Sequence, residues 1–151
     1  HLHSEGKHKD ELALQGPSTS YWVPEMIENN PQENIPYYPY MNGTFVFKHA
    51  IVRFSEVIKE GLEANGLGIE DIDMLIPHQA NLRISQFIQR KMRLPDDKVY
   101  NNIQKYGNTT AASIPIALTE AWEEGKIKEG DLVVLAAFGS GFTWGSAIIR
   151  W

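Results

Sequence analysis

The stretch Asp73–Arg93, DMLIPHQANLRISQFIQRKMR, decides how the rest of the chain is read. Met74, Leu75 and Ile76 form a short apolar run closed by Pro77, the pattern of a strand covered on both faces. From Gln79 onward, Ala80, Ile84, Phe87, Ile88 and Met92 recur at helical spacing, with Arg83, Gln86, Gln89, Arg90 and Arg93 on the other side. A helix is therefore predicted to open at Gln79, immediately beside His78. Its unpaired N–H groups and positive dipole end would then lie near the imidazole, favouring a neutral ring that donates a hydrogen bond. A histidine after a strand also serves as an ordinary structural cap, and position alone does not choose between the two.

Downstream, Pro95, Asp96 and Asp97 signal a capped turn and Val99–Ile103 a brief extended piece. Gly107-Asn108-Thr109-Thr110 then leads into a helix with Ile114, Ala117, Leu118 and Ala121 on one face, stopped at Gly125; Pro115 requires a start only shortly before it. Ala111, Ala112 and Ser113 are all small, so a ligand or backbone can approach that helix start closely. Asn108 by default is a turn former with a local hydrogen bond. The last segment reads as two strands, Leu132–Ala137 and Thr143–Arg150, joined by Phe138-Gly139-Ser140-Gly141-Phe142. Glycines on both sides of Ser140 permit positive φ and an exposed row of N–H groups, the makings of an oxyanion pocket or of a plain turn. A serine-hydrolase elbow needs a strand followed by a helix, and here a strand follows.

Upstream, a long helix is predicted over Thr44–Asn65, with Phe47, Ile51, Phe54, Ile58 and Leu62 in one stripe, Val46, Ala50 and Val57 widening it, and Gly66 as its cap. His49 lies within it and has no partner motif. Gly16–Tyr40, with five prolines and no sustained period, reads as a long surface loop, and Leu2–Ser4 as a strand. His1, His3 and His8 have no matching ligands elsewhere, so no metal is expected.

Composition narrows the function classes. A chain of 151 residues, 42% hydrophobic, suits one core, and its net charge of -5 argues against nucleic-acid binding. Arg83, Arg90, Lys91 and Arg93 nevertheless crowd one helix, a face that fits an acidic partner. No apolar run approaches a membrane span, so a soluble protein without a membrane partner is expected. Zero cysteines exclude disulfides and a cysteine nucleophile in this chain.

Three motifs taken together, His78-Gln79-Ala80-Asn81-Leu82-Arg83, Gly107–Pro115 and Ala137–Gly145, resemble 3-oxoacyl-[acyl-carrier-protein] synthase III in order and spacing, over nearly all the chain. The resemblance implies an α/β thiolase-like fold, of which this chain, 1–151, is the C-terminal half, with a mixed five-stranded sheet and helices on its faces. The N-terminal half, which carries the family's cysteine nucleophile, is expected to be missing, leaving this chain inactive alone. It also implies that His78 and Asn108 complete a Cys-His-Asn site and that the backbone N–H of Ser140 serves the oxyanion hole, although the family often has glycine there. Gly43, Phe47 and Asn81 match the tunnel for coenzyme A and pantetheine, and Arg83 and Lys48 match the surface where acyl carrier protein docks.

The implied reaction is decarboxylative condensation of an acyl-coenzyme A primer with malonyl-acyl carrier protein to start fatty-acid synthesis. It needs no permanently bound cofactor, and a cytoplasmic homodimer is implied for the whole enzyme. Other thiolase-fold condensing enzymes, of the plant polyketide or quinolone type, use the same residue set. A non-catalytic acyl-carrier-binding domain is the reading from a different class.

Overall fold

The computed structural model describes residues 1–14 and 39–151. Of the expected loop Gly16–Tyr40, all but Pro39 and Tyr40 lies outside the described residues. Strand β1 (Leu2–Ser4) leads through a 3₁₀ segment to β2 (Leu12–Ala13), which pairs antiparallel with β3 (Tyr40–Met41). Helix α1 (Gly43–Glu63), strand β4 (Met74–Pro77) and helices α2 (Leu82–Met92), α3 (Ile103–Tyr106) and α4 (Ser113–Glu123) follow. The hairpin of β5 (Leu132–Gly139) and β6 (Thr143–Arg150) closes the order.

The main sheet runs β1-β6-β5-β4. β4 and β5 are parallel, Met74 opposite Val133 and Pro77 opposite Ala136, and the segment bearing α2, α3 and α4 makes the crossover between them. β5 and β6 are antiparallel over their whole length, and β1 joins β6 at Leu2↔Gly145. The sheet is thus mixed, but it has four strands among the described residues rather than the five expected. Val99 contributes a single parallel bridge to Leu75. The reason is local: the side-chain oxygen of Gln79 accepts the N–H groups of Asn102 (3.0 Å) and Ile103 (3.2 Å), and the chain turns into α3 instead of extending a ladder.

Strand alternation sorts the core into two layers. Leu75, Val134, Ala136 and Phe138 point to one face, where Val46, Ala50, Phe54, Ile58 and Leu62 of α1 and Ile88 and Met92 of α2 cover them. Met74, Ile76 and Val133 point to the other, against Ala117 and Ala121 of α4. Every residue of β4 is buried, as its unbroken apolar run requires when helices cover both faces. α1 is held at its start by the Asn42 side chain, which accepts the N–H of Phe45 at 3.3 Å. At its end Gly66 adopts φ 68°, which lets the N–H of Leu67 return to the carbonyl of Leu62 at 2.9 Å.

Helix α2 opens at Leu82, not at Gln79. Asn81 is its cap, with φ -158° and a side chain that accepts the N–H of Arg83 at 2.9 Å, so Gln79 and Ala80 belong to the turn leaving β4. That displaces the dipole end of α2 from His78.

Candidate active site

His78 is carried out of the sheet by β4, and its backbone N–H still donates to the carbonyl of Ala136 on β5 at 2.8 Å. It thus stands at the carboxyl end of a parallel strand pair, where α/β sheets leave room for ligands. His78 is half-buried, and that burial pushes the imidazolium pKa below its ordinary value. Desolvation, rather than a helix dipole, is what favours the neutral ring at this position. Its Nδ1 lies 2.6 Å from the Oγ of Ser113, and its Nε2 has no hydrogen-bond partner among the described residues.

Asn108 sits in the exposed loop between α3 and α4. Its side-chain oxygen accepts the N–H of Thr110 at 2.9 Å, the local turn bond expected of an asparagine here. With the oxygen so engaged, the amide NH2 is the end left to donate outward. Ser140 lies at the tip of the β5–β6 hairpin, also exposed, and its carbonyl accepts the hydroxyl of Thr143 at 2.9 Å. Of the two flanking glycines only Gly141 takes a positive φ, 131°, while Gly139 ends β5 in extended form.

These three residues come from the ends of β4 and β5 and from the loop before α4, so the topology brings them to one edge of the sheet. All three line a single cleft of about 1190 Å³. Gly43 and Phe47 on α1 and Asn81 before α2 line the same cleft, and Phe47 meets Phe87 of α2 edge to face with ring centres 6.3 Å apart. Lys48 and Arg83 are exposed on α1 and α2 and lie outside the cleft lining.

Two buried polar residues escaped the sequence reading. In sequence Ser113 stands out only as a small residue, and Gln79 falls in the helical period of a helix that it does not join. Gln79, 2% exposed, donates from Nε2 to the carbonyl of Pro77 at 2.7 Å and accepts the two N–H groups before α3. The available signal was a polar side chain wedged between a buried strand and an apolar helix. Beyond it, the Asn102 side chain donates to Glu120 on α4 at 2.7 Å, and Lys105 and Tyr106 bind the same carboxylate. Among the described residues no group of three or more His, Asp or Glu is placed to hold a metal ion, and no helix is long and apolar enough to cross a membrane.

A mixed sheet between two helical layers, with a cleft at the carboxyl ends of its parallel strands, defines this chain as a thiolase-like α/β unit. The chain belongs to the family of 3-oxoacyl-[acyl-carrier-protein] synthase III C-terminal domains, whose sequence model matches residues 62–151. It is 45% identical to a beta-ketoacyl-[acyl-carrier-protein] synthase III of Rhodospirillum centenum, across 100% of this chain and 43% of the relative. It is 47% identical to that of Alkalilimnicola ehrlichii, across 100% of this chain and 45% of the relative. The solved structure of the Thermus thermophilus synthase superposes with a TM-score of 0.87 at 39% identity, over 99% of this chain and 44% of that one. The chain therefore spans less than half the length of the relatives it matches and corresponds to their C-terminal half.

Proposed function

We propose that this chain is the part of a 3-oxoacyl-[acyl-carrier-protein] synthase III that supplies the hydrogen-bond donors for decarboxylative condensation of an acyl-coenzyme A primer with malonyl-acyl carrier protein. The observation that carries the reading is the presence, on one cleft, of His78, whose burial favours the neutral ring and whose Nε2 has no partner among the described residues, and Asn108, whose side-chain oxygen is already occupied. Loss of carbon dioxide from a malonyl thioester moves the electron pair of the broken C–C bond into an enolate. Negative charge then grows on the thioester oxygen, and two neutral N–H donors aimed there stabilise it more than they stabilise the ground state. The enolate carbon attacks an acyl thioester held on a cysteine, which leaves as thiolate. This chain has no cysteine, so the acyl carrier is assigned to the N-terminal half of the enzyme, which packs against this one.

The backbone N–H of Ser140 serves the oxyanion of the acyl-transfer step. Gly43, Phe47 and Asn81 line the channel for the pantetheine arm, and Lys48 and Arg83 receive acyl carrier protein at its mouth. No permanently bound cofactor takes part, and the enzyme works in the cytoplasm as a homodimer. The test is His78→Ala and Asn108→Ala in the full-length enzyme, with the two half-reactions measured separately. Malonyl decarboxylation is expected to fall by more than about a hundredfold, the scale of losing an oxyanion donor, and primer loading to fall less. Equal loss of both half-reactions would contradict this division of roles.

A further inference from the structure

We propose that the Ser113 hydroxyl is the positioning residue that fixes His78 in the tautomer with its proton on Nε2, by donating its own proton to Nδ1. The inference rests on the condensation role assigned to His78 and adds the residue that sets the ring's state.

The argument is one of donors and acceptors. Ser113 is 2% exposed, at the first position of α4, and among the described residues its Oγ has two partners: the N–H of Gln79 at 3.3 Å and Nδ1 of His78 at 2.6 Å. A backbone N–H can only donate, so toward Gln79 the oxygen is an acceptor. The hydroxyl proton then needs an acceptor of its own, and Nδ1 is the group in reach. Were Nδ1 protonated instead, the oxygen would accept twice and a buried hydroxyl proton would be left without a partner. The hydroxyl therefore donates to Nδ1, and a neutral ring carries its hydrogen on Nε2, which has no partner among the described residues, on a histidine that lines the cleft.

Gln79 makes the arrangement rigid. Its N–H is held on Ser113 while its side chain ties Pro77 to Asn102 and Ile103, so the ring, the serine and the turn before α3 are braced as one unit.

The test uses the full-length enzyme containing this chain. ¹⁵N-edited NMR of the histidine rings reports the tautomer directly, and it needs no activity. In the unmodified protein the His78 signals are expected to show a protonated Nε2 and a bare Nδ1; a protonated Nδ1 would overturn the proposal whatever any variant does. In Ser113→Ala the signals should move toward the average of two exchanging tautomers. The decarboxylation kcat should fall about 10- to 100-fold with KM for the malonyl thioester changed less than about twofold, as expected when a catalytic group is misplaced rather than removed. Wild-type signals or a wild-type kcat in Ser113→Ala would each sink it. Failure of the condensation reading itself is told apart by His78→Ala, which would then leave decarboxylation intact while the NMR result for Ser113 still stands.

Discussion

The side-chain oxygen of Gln79 accepts the backbone N–H of Asn102 at 3.0 Å, deep inside the protein. That bond and its neighbour to Ile103 replace the ladder a fifth strand would have made. Gln79→Ala leaves two backbone donors without partners, each costing about 1–3 kcal/mol where it stays buried. A loss of roughly 3 kcal/mol in unfolding free energy is expected, by urea titration, with a decarboxylation defect because the loop bearing Asn108 follows directly. An unchanged midpoint would show that the glutamine only fills space.

The pH dependence of decarboxylation should carry the signature of His78. Burial lowers its imidazolium pKa, so the ring stays neutral down to pH values below the ordinary 6.5. Activity is expected to hold through neutrality and decline only as pH falls below that value, because protonating Nδ1 reverses the bond to Ser113 and leaves the buried hydroxyl proton without its acceptor. The same sign applies to stability: the unfolded chain takes up its proton first, so stability is full above the unfolded pKa and is lost as pH drops through it toward the lower folded value. A pH–rate profile with its acidic limb above 6.5 would contradict this.

Arg83→Glu should raise KM for malonyl-acyl carrier protein several-fold and leave a malonyl-pantetheine mimic nearly unaffected. Arg83 is exposed beside the cleft on a helix that also carries Arg90 and Lys91, so its charge reaches an approaching acidic protein, not a small neutral arm. The difference should shrink with added salt. Equal weakening of both substrates would make Arg83 a structural residue.

Glu120 joins α4 to α3, just ahead of Asn108, by binding Lys105, Tyr106 and Asn102, and these partners pull its carboxyl down from 4.5 to about 2. A depressed carboxyl pKa stabilises the fold above the unfolded value and loses that contribution as pH falls from 4.5 toward 2. Glu120→Gln should therefore lower the thermal midpoint at pH 7, and the gap from wild type should narrow across that acid range. A gap of constant size would point to packing instead.

Mixed alone with acetyl-coenzyme A and malonyl-acyl carrier protein, the chain should form no covalent acyl-protein and no ketoacyl product. It contains no cysteine; Ser140 at the cleft has no histidine bonded to it among the described residues, and Ser113, which is bonded to His78, is buried. Intact-mass measurement of an acyl adduct, or product formed by the chain alone, would overturn the assignment of the nucleophile to the N-terminal half.

The sequence by itself determined the strand Met74–Pro77, the long helix α1 with its glycine cap, the β5–β6 hairpin and the placing of His78 between a strand and a helix. Each is written in local periodicity and in turn residues, because backbone conformation and burial repeat with a fixed step along the chain. The three motifs also named the family, since their joint order is far more constrained than any one of them.

Tertiary structure alone decided the rest. The reduction of a fifth strand to one bridge depends on Gln79 reaching residues 23 and 24 positions away. The start of α2 at Leu82 depends on Asn81 turning its side chain back to the helix it caps. The bond from Ser113 to His78 spans 35 residues. No period encodes such a pairing. A serine next to two alanines becomes the partner of a half-buried imidazole only when the crossover from β4 to β5 folds α4 onto the sheet and buries the serine, leaving its hydrogen bonds to be made within the protein.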